Sequence, residues 1–329
     1  MENKKILYVH TGNHQVHTEF ARTITDNEIE FSNNLPDNFD IYLFEGEYAR
    51  PVFLKRLGKL KKDSKIIVLF ADPRLYYLKN RIKFDKKRNE VKKMPLIKSF
   101  FSKMLLKRID GAICEGKFNQ DLLKEVSDKI PSRLVYPFIW ESRYQDLIKL
   151  RPSLDNHNIL FVGSGPDFYC KGLDELLKVF KKLKEEVPDA RLYVLGENWN
   201  IKEKIDGVYF EGKKEVLPYL RRSSLLIHLG KGEGFGVNVL ESLLAGVPAI
   251  VSEYTGAKEV VEKVDKTFIM SLNEDIIVNK IKDYFNMKSK DKLKLSAKGR
   301  KIAADFREKD KLNSFKNQFE NLVEDLYGR

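Results

Sequence analysis

Glu233-Gly-Phe-Gly-Val-Asn-Val-Leu-Glu241-Ser-Leu-Leu-Ala-Gly-Val-Pro248 combines a glycine turn, a helix start and two spaced carboxylates. Gly234 and Gly236 let backbone amides come close to a ligand. The apolar run from Val237 to Ala245 then begins a helix whose first free N–H groups favour an anion. Glu241 lies on that helix. Because helical side chains lean toward the N-terminus, it can face the same ligand as Glu233. Gly246 and Pro248 stop the helix, and Ala249, Ile250 and Val251 open a short buried strand. The whole reads as a phosphate and sugar cradle, although a pair of glutamates or a glycine turn taken alone is ordinary structure.

The full string closely resembles the signature of retaining glycosyltransferases of family four, which have the two-domain GT-B fold. That signature runs Glu-Gly-Phe-Gly, four residues, Glu, a short helix, Gly-x-Pro, a strand and a small-residue turn. The turn here is Thr255-Gly256-Ala257-Lys258-Glu259-Val260, with Thr255 where the family has Gly. The resemblance covers residues 158 to 328 well and the first 150 only in general architecture. It implies an α/β protein of two Rossmann-like, doubly wound parallel-sheet domains facing a cleft. Residues 1–150 would bind the acceptor, 151–305 the nucleotide-sugar donor, and 306–329 would form a helix crossing back to the first domain.

The apolar pattern outward from the signature agrees with alternating strands and helices. Strands are expected at Lys5 to His10, Phe39 to Phe44, Lys65 to Phe70, Gly111 to Cys114 and Leu134 to Pro137 in the first half. The second half offers Asn158 to Gly163, Arg191 to Leu195, Val208 to Gly212 and Leu225 to His228, with helices between them and a helical pattern from Asp291 to Gly328. The stretch from Ile139 to Leu154 reads as the linker, as it does in the family.

A chain of 329 residues with 42% hydrophobic content suits two cores. Cys114 and Cys170 lie far apart and offer no metal or redox spacing, which fits a reducing compartment. The start, Met1-Glu-Asn-Lys-Lys, runs straight into a strand, and no run of eighteen apolar residues exists. A cytoplasmic protein is expected, with the inner face of the plasma membrane as a peripheral location. Eleven of the twelve net positive charges fall in residues 74–108, where thirteen Lys and Arg face only Asp85 and Glu90. Pro95 divides this segment into two helical pieces, and Leu96, Ile97, Phe100, Phe101, Met104 and Leu105 recur at helical spacing in the second. Three readings fit: a solvated helix packing on its own domain, a helix settling on an anionic membrane surface, or a nucleic-acid contact. The chain contains no recognised nucleic-acid module.

Sugar transfer from a nucleotide needs a group to stabilise the leaving diphosphate, contacts that orient the sugar, and a destination for the acceptor proton. Lys171, in Tyr169-Cys-Lys-Gly172, falls where the family has its Lys-Gly pair and would offset charge on the diphosphate. The family also has an Arg directly after the strand ending at Gly163, where this chain has Ser164. Lys231 is the first candidate to replace it, ahead of Lys213 and Arg74. The family's Pro-Ser before the signature is replaced by Leu229-Gly230. By resemblance Glu233 would contact donor-sugar hydroxyls, the backbone of Gly234, Phe235, Gly236 and Val237 would hold sugar and phosphate, and Glu241 would bind the ribose. The base would lie near Gly196, Gly212 and Lys213, and Gly12 would let the donor phosphate approach the first domain. Asp72 either takes the place of a family histidine in catalysis or caps the turn before Pro73. His10, His14 and His17 have no carboxylate companion at metal spacing in the sequence, so no metal site is expected. His157 and His228 read as structural or surface residues. No cofactor is expected; the partners implied are a UDP-, GDP- or ADP-sugar and a lipid-linked or cell-envelope glycan. A non-catalytic sugar-nucleotide-binding protein and a basic nucleic-acid-directed protein are the alternatives.

Overall fold

Five-residue runs such as Ile41-Tyr-Leu-Phe-Glu45 are apolar on both faces, so they suit the centre of a parallel sheet covered by helices on each side. The computed structural model describes residues 4–12, 14–30, 35–85, 90–164, 168–197 and 204–328. Asn13 of the first turn and residues 86–89 of the basic segment lie outside them. Contacts divide the chain into two units: residues 1–83, 92–138 and 308–329 in one, and 84–91 with 139–307 in the other.

The first unit begins β1 (Ile6–His10), α1 (Gln15–Arg22), β2 (Glu28–Glu30), β3 (Ile41–Glu45), α2 (Ala49–Arg56), β4 (Lys65–Phe70) and α3 (Arg74–Asn80). After the hairpin β5 (Ile82–Asp85) and β6 (Glu90–Lys93) come α4 (Leu96–Leu106), β7 (Gly111–Glu115), α5 (Gly116–Val126) and β8 (Ser132–Val135). Its sheet has the order β2-β1-β3-β4-β7-β8, and every pair is parallel. The order reverses between β1 and β3, the kind of switch point outside which open α/β sheets bind ligands. The last helix of the chain, α14 (Glu308–Tyr327), returns to this unit. Its Phe315 ring stacks on Phe20 at 4.5 Å, and the Leu322 methyls lie so close to Gly111 that an added Cβ would meet them at 3.2 Å.

The basic segment departs from the expected pair of helices. Arg81 adopts φ 52°, a left-handed conformation that ends α3, and the chain then turns into the hairpin β5–β6. Only α4 is helical beyond it. Leu106 at its end is buried, but the apolar residues of its first two turns do not pack on the unit: Leu96 is 68% exposed, Ile97 72%, Phe100 66% and Phe101 51%.

The second unit holds α6 (Glu141–Lys149), β9 (Asn158–Val162), α7 (Phe168–Lys171), α8 (Leu173–Glu186), β10 (Arg191–Leu195), β11 (Val208–Gly212), α9 (Leu217–Arg222) and β12 (Leu225–His228). It continues with α10 (Val237–Leu244), β13 (Ala249–Ser252), α11 (Lys258–Asp265), β14 (Ile269–Met270), α12 (Glu274–Phe285) and α13 (Ser289–Ala303); α14 (Glu308–Tyr327) then closes the chain. The sheet order β11-β10-β9-β12-β13-β14 is again wholly parallel, with its switch point between β9 and β12. The expected linker is in part the helix α6, which buries Tyr144 and Leu147. Arg300 of α13 fastens it: the guanidinium donates to the carbonyls of Ile148 and Leu150 behind α6 and of Leu244 and Ala245 at the end of α10. A cation there satisfies the orphan carbonyls of two helix ends at once. Gly246, at φ 83°, has no Cβ to block the guanidinium.

Candidate functional site

At the carboxyl edge of the second sheet, strand ends become loops at Gly163, Gly196, Gly212 and Leu229. These strand ends are laced together: Gly163 N–H donates to Leu195 O, and Gly196 N–H to Gly212 O. Gly196 has φ 129°, and a Cβ on it would fall 1.6 Å from the Gly163 carbonyl oxygen. Any side chain at this position would push the two loops apart. Ser164, where the resemblance leads one to expect Arg, accepts a hydrogen bond from Glu197 N–H at 3.2 Å and brings no charge. Lys213 follows Gly212 and is exposed.

The glycine turn is pinned from its other side. Glu233 and Thr255 form a parallel bridge, Gly256 N–H donates to Glu233 O, and both Ala257 N–H and the Thr255 hydroxyl donate to Phe235 O. The Thr255 hydroxyl, absent from the family's glycine, therefore adds a hydrogen bond to the turn. Gly256 is pressed so closely on the turn that a Cβ would come within 2.0 Å of Gly234 O. Gly236 precedes α10 at φ 92°, and as the N-cap it offers the helix no side chain. Asn238 instead donates to Val162 O at 2.8 Å, tying the start of α10 to the end of β9.

Lys171 and Glu233 meet at the switch point, where the ammonium donates to Oε1 and Cys170 Sγ donates to Oε2 at 3.4 Å. Burial pushes the Glu233 carboxyl up, but Lys171, with His228 and Cys170, holds the group below the ordinary carboxylate range. Gly172 allows this placement, since at φ 75° a Cβ would collide with Leu229 O at 1.9 Å. Glu241 is buried on α10 and takes a hydrogen bond at 3.0 Å from Arg143 of α6, a residue that the linker reading did not single out. Burial raises the Glu241 carboxyl, and Arg143 offsets part of that rise.

Lys231 is only 4% exposed, and its ammonium lies 2.7 Å from Asp174 and 3.1 Å from Glu175 in the first turn of α8. Those carboxylates balance its charge. Of the other two substitutes for the missing Arg, Lys213 is exposed, and Arg74 stands in the first unit beside Asp72 at 3.3 Å. His228, at the end of β12, is fully buried, and burial pushes its pKa down to about 4. Its Nδ1 faces the Asn238 amide nitrogen at 3.4 Å, and its Nε2 has no hydrogen-bond partner.

In the first unit Asp72 accepts from Arg74 N–H at 3.0 Å, the turn-forming contact. Gly12 O faces His10 Nδ1 at 3.0 Å. The sequence shows no carboxylate at metal spacing from the histidines, but the fold supplies two. Glu45, at the end of β3, lies 2.6 Å from His17 Nδ1 and 3.7 Å from His14 Nε2, and Glu115 at the end of β7 lies 3.8 Å from His17 Nε2. Burial disfavours an imidazolium at His17, yet Glu115 and Glu45 prevail and raise its pKa to about 10.

Residues 145–302 match the family model of glycosyl transferases group 1, a little under half of the chain. An uncharacterized glycosyltransferase of Haemophilus influenzae is 28% identical over 159 residues, covering 43% of this chain and 44% of its own. The N-acetyl-alpha-D-glucosaminyl L-malate synthase of Bacillus anthracis is 28% identical over 117 residues, 32% of this chain and 30% of its own. The chain thus spans less than half the length of these curated relatives. Among solved structures, sucrose-phosphate synthase from Thermosynechococcus elongatus superposes with a TM-score of 0.69 at 12% identity, over 99% of this chain and all of that one. Anabaena HepE in complex with UDP gives 0.68 at 14% identity, over 98% of this chain and all of its own. The fold is GT-B: two parallel α/β units, with the last helix belonging to the first.

Proposed function

We propose that the protein is a retaining glycosyltransferase that moves a hexose from a nucleotide-diphosphate sugar to a glycan or lipid-linked acceptor. The observation that carries this reading is the meeting of Lys171, Glu233 and the start of α10 at the switch point of the second sheet. The match of residues 145–302 to group 1 glycosyl transferases supports it. Lys171 and the first N–H groups of α10 would stabilise the leaving diphosphate. Glu233 would hold sugar hydroxyls, and Glu241 the ribose. The bond from the anomeric carbon to the diphosphate oxygen breaks as the acceptor oxygen bonds on the same face, and the acceptor proton passes to the departing phosphate. No covalent carboxylate intermediate is required, unlike a typical retaining glycosidase, and the scheme needs no metal at the diphosphate. Asp72, already engaged by Arg74, has no part in it. A purely sugar-nucleotide-binding role draws on Ser164, which leaves the diphosphate with one cation fewer.

A thermal-shift screen of UDP, GDP, ADP and their sugars tests donor binding. One nucleotide should stand out, since a ligand at a hundred times its Kd adds about 2.7 kcal/mol to the folded state. No shift with any of them removes the reading. Donor hydrolysis by the purified protein would exclude a purely binding role, and NMR of the first-formed product should show the donor's anomeric configuration kept.

For the acceptor, α4 supports a lipid-linked or cell-envelope glycan at an anionic membrane surface. Its four exposed apolar side chains are accompanied by Lys98, Lys103, Lys107 and Arg108, and each basic residue near such a surface is worth about 1 kcal/mol. No helix among the described residues is long and apolar enough to cross a membrane. Co-sedimentation with phosphatidylserine vesicles should be lost in a variant carrying Ile97→Glu and Phe100→Glu. Equal binding by variant and parent, or none by the parent, would remove the membrane from this account.

A further inference from the structure

The switch point of the first sheet gathers a second convergence of side chains, and it involves none of the donor-binding residues. His14 and His17 stand at the start of α1, one turn apart, with rings stacked at 5.3 Å. Glu45 reaches them from the end of β3, the strand on the other side of the reversal. Its Oε2 is already occupied, facing Thr11 N–H at 3.4 Å and the Tyr8 hydroxyl at 3.5 Å. Its Oε1 is left pointing at the histidines. One ligand atom from each of His14, His17 and Glu45 lies within 4.8 Å of the other two.

The His17 ring has a carboxylate beyond each of its nitrogens. Nδ1 faces Glu45, while Nε2 faces Glu115 at 3.8 Å. A histidine that ligates through one nitrogen almost always offers its other N–H to a carboxylate or carbonyl, which fixes the tautomer and turns the ring. Glu45, Glu115 and His17 are all buried, so the three side chains meet out of water.

We propose that His14 Nε2, His17 Nδ1 and Glu45 Oε1 bind one divalent transition-metal cation at the carboxyl edge of the first sheet, with Glu115 orienting His17. In this structure Nδ1 and Oε1 are in direct contact at 2.6 Å, and the cation would come between them. Two imidazoles and one carboxylate select zinc, cobalt or nickel over magnesium or calcium, which prefer all-oxygen shells. Three protein ligands also leave a position for water or a substrate oxygen. His14, 63% exposed, is the solvent-facing member.

The full chain, freed of metal by chelation, would be titrated with Zn²⁺ by calorimetry and with Co²⁺ by visible absorption. One ion per chain is expected, with cobalt ligand-field bands. His14→Ala alters an exposed side chain, so its metal-free melting temperature should match the parent while its Zn²⁺ affinity falls at least tenfold. Glu115→Gln should weaken binding about 10–100-fold with all three ligands retained. Absence of heat and of cobalt bands in the parent overturns the proposal. So does equal affinity in His14→Ala, which would place the ion elsewhere, or preference for Mg²⁺ over Zn²⁺. Nucleotide binding in the second unit is read separately in the thermal-shift screen, so either reading can fail alone.

Discussion

Lys171→Met is expected to slow sugar transfer about 10²–10³-fold, the usual cost of removing one charge-stabilising group from a transition state. Its effect should fall on kcat more than on KM, because the diphosphate gains charge as the glycosidic bond breaks. Glu233→Gln should cost a similar factor through misplacement of the sugar. These two residues form one partly buried ion pair, so each single variant also leaves an uncompensated partner. Lys171 is about one-third exposed, which moderates that penalty to an order of 1–3 kcal/mol. The double variant separates the two roles: stability should return toward the parent while activity stays low. Urea unfolding and steady-state kinetics on the four proteins complete the cycle. Turnover of Lys171→Met within about fivefold of the parent would take Lys171 out of the chemistry.

Much of the fold was legible because buried parallel strands are short, continuous apolar runs. Lys65–Phe70, Arg191–Leu195 and Leu225–His228 carry such runs with polar residues at one or both ends, and their bounds coincide with the observed strands. The signature announced its own local geometry through Gly236 and the helix that follows. What stayed hidden had no local mark. The end of α3 lies at Arg81, a left-handed residue without glycine to signal it. Helix α6 hid in a linker between Pro137 and Pro152, so Arg143 could not be paired with Glu241 before the chain was folded. The carboxylates around His17 come from the ends of β3 and β7, strands that only sheet order brings beside α1. Spacing along the sequence is a poor guide to ligands collected at the edge of a parallel sheet, because each strand contributes a single position.

His228 should impose an acid limb on stability that a neutral replacement removes. Burial holds its pKa near 4, with a further push down from Lys171 and an opposing one from Glu233, whereas an unfolded histidine titrates near 6.5. Above about pH 6.5 the ring is neutral in both states and favours neither. As pH falls from 6.5 to 4 the unfolded chain takes up a proton that the folded protein refuses, so stability falls with pH over that window. The difference amounts to about 3 kcal/mol by pH 4, at 1.36 kcal/mol per pH unit. Glu233 is held below the ordinary carboxylate range, so it stays ionised through most of the window and does not mask the effect. The Asn238 amide donates to Nδ1, which puts the ring proton on the unpartnered Nε2. His228→Leu removes both that orphan donor and the titration, so its loss at neutral pH should be small. Unfolding free energies of parent and variant, measured in urea at half-unit steps from pH 7 to 4, should diverge steadily below pH 6.5. Parallel curves through that range would mean that the folded protein protonates His228 as readily as the unfolded chain.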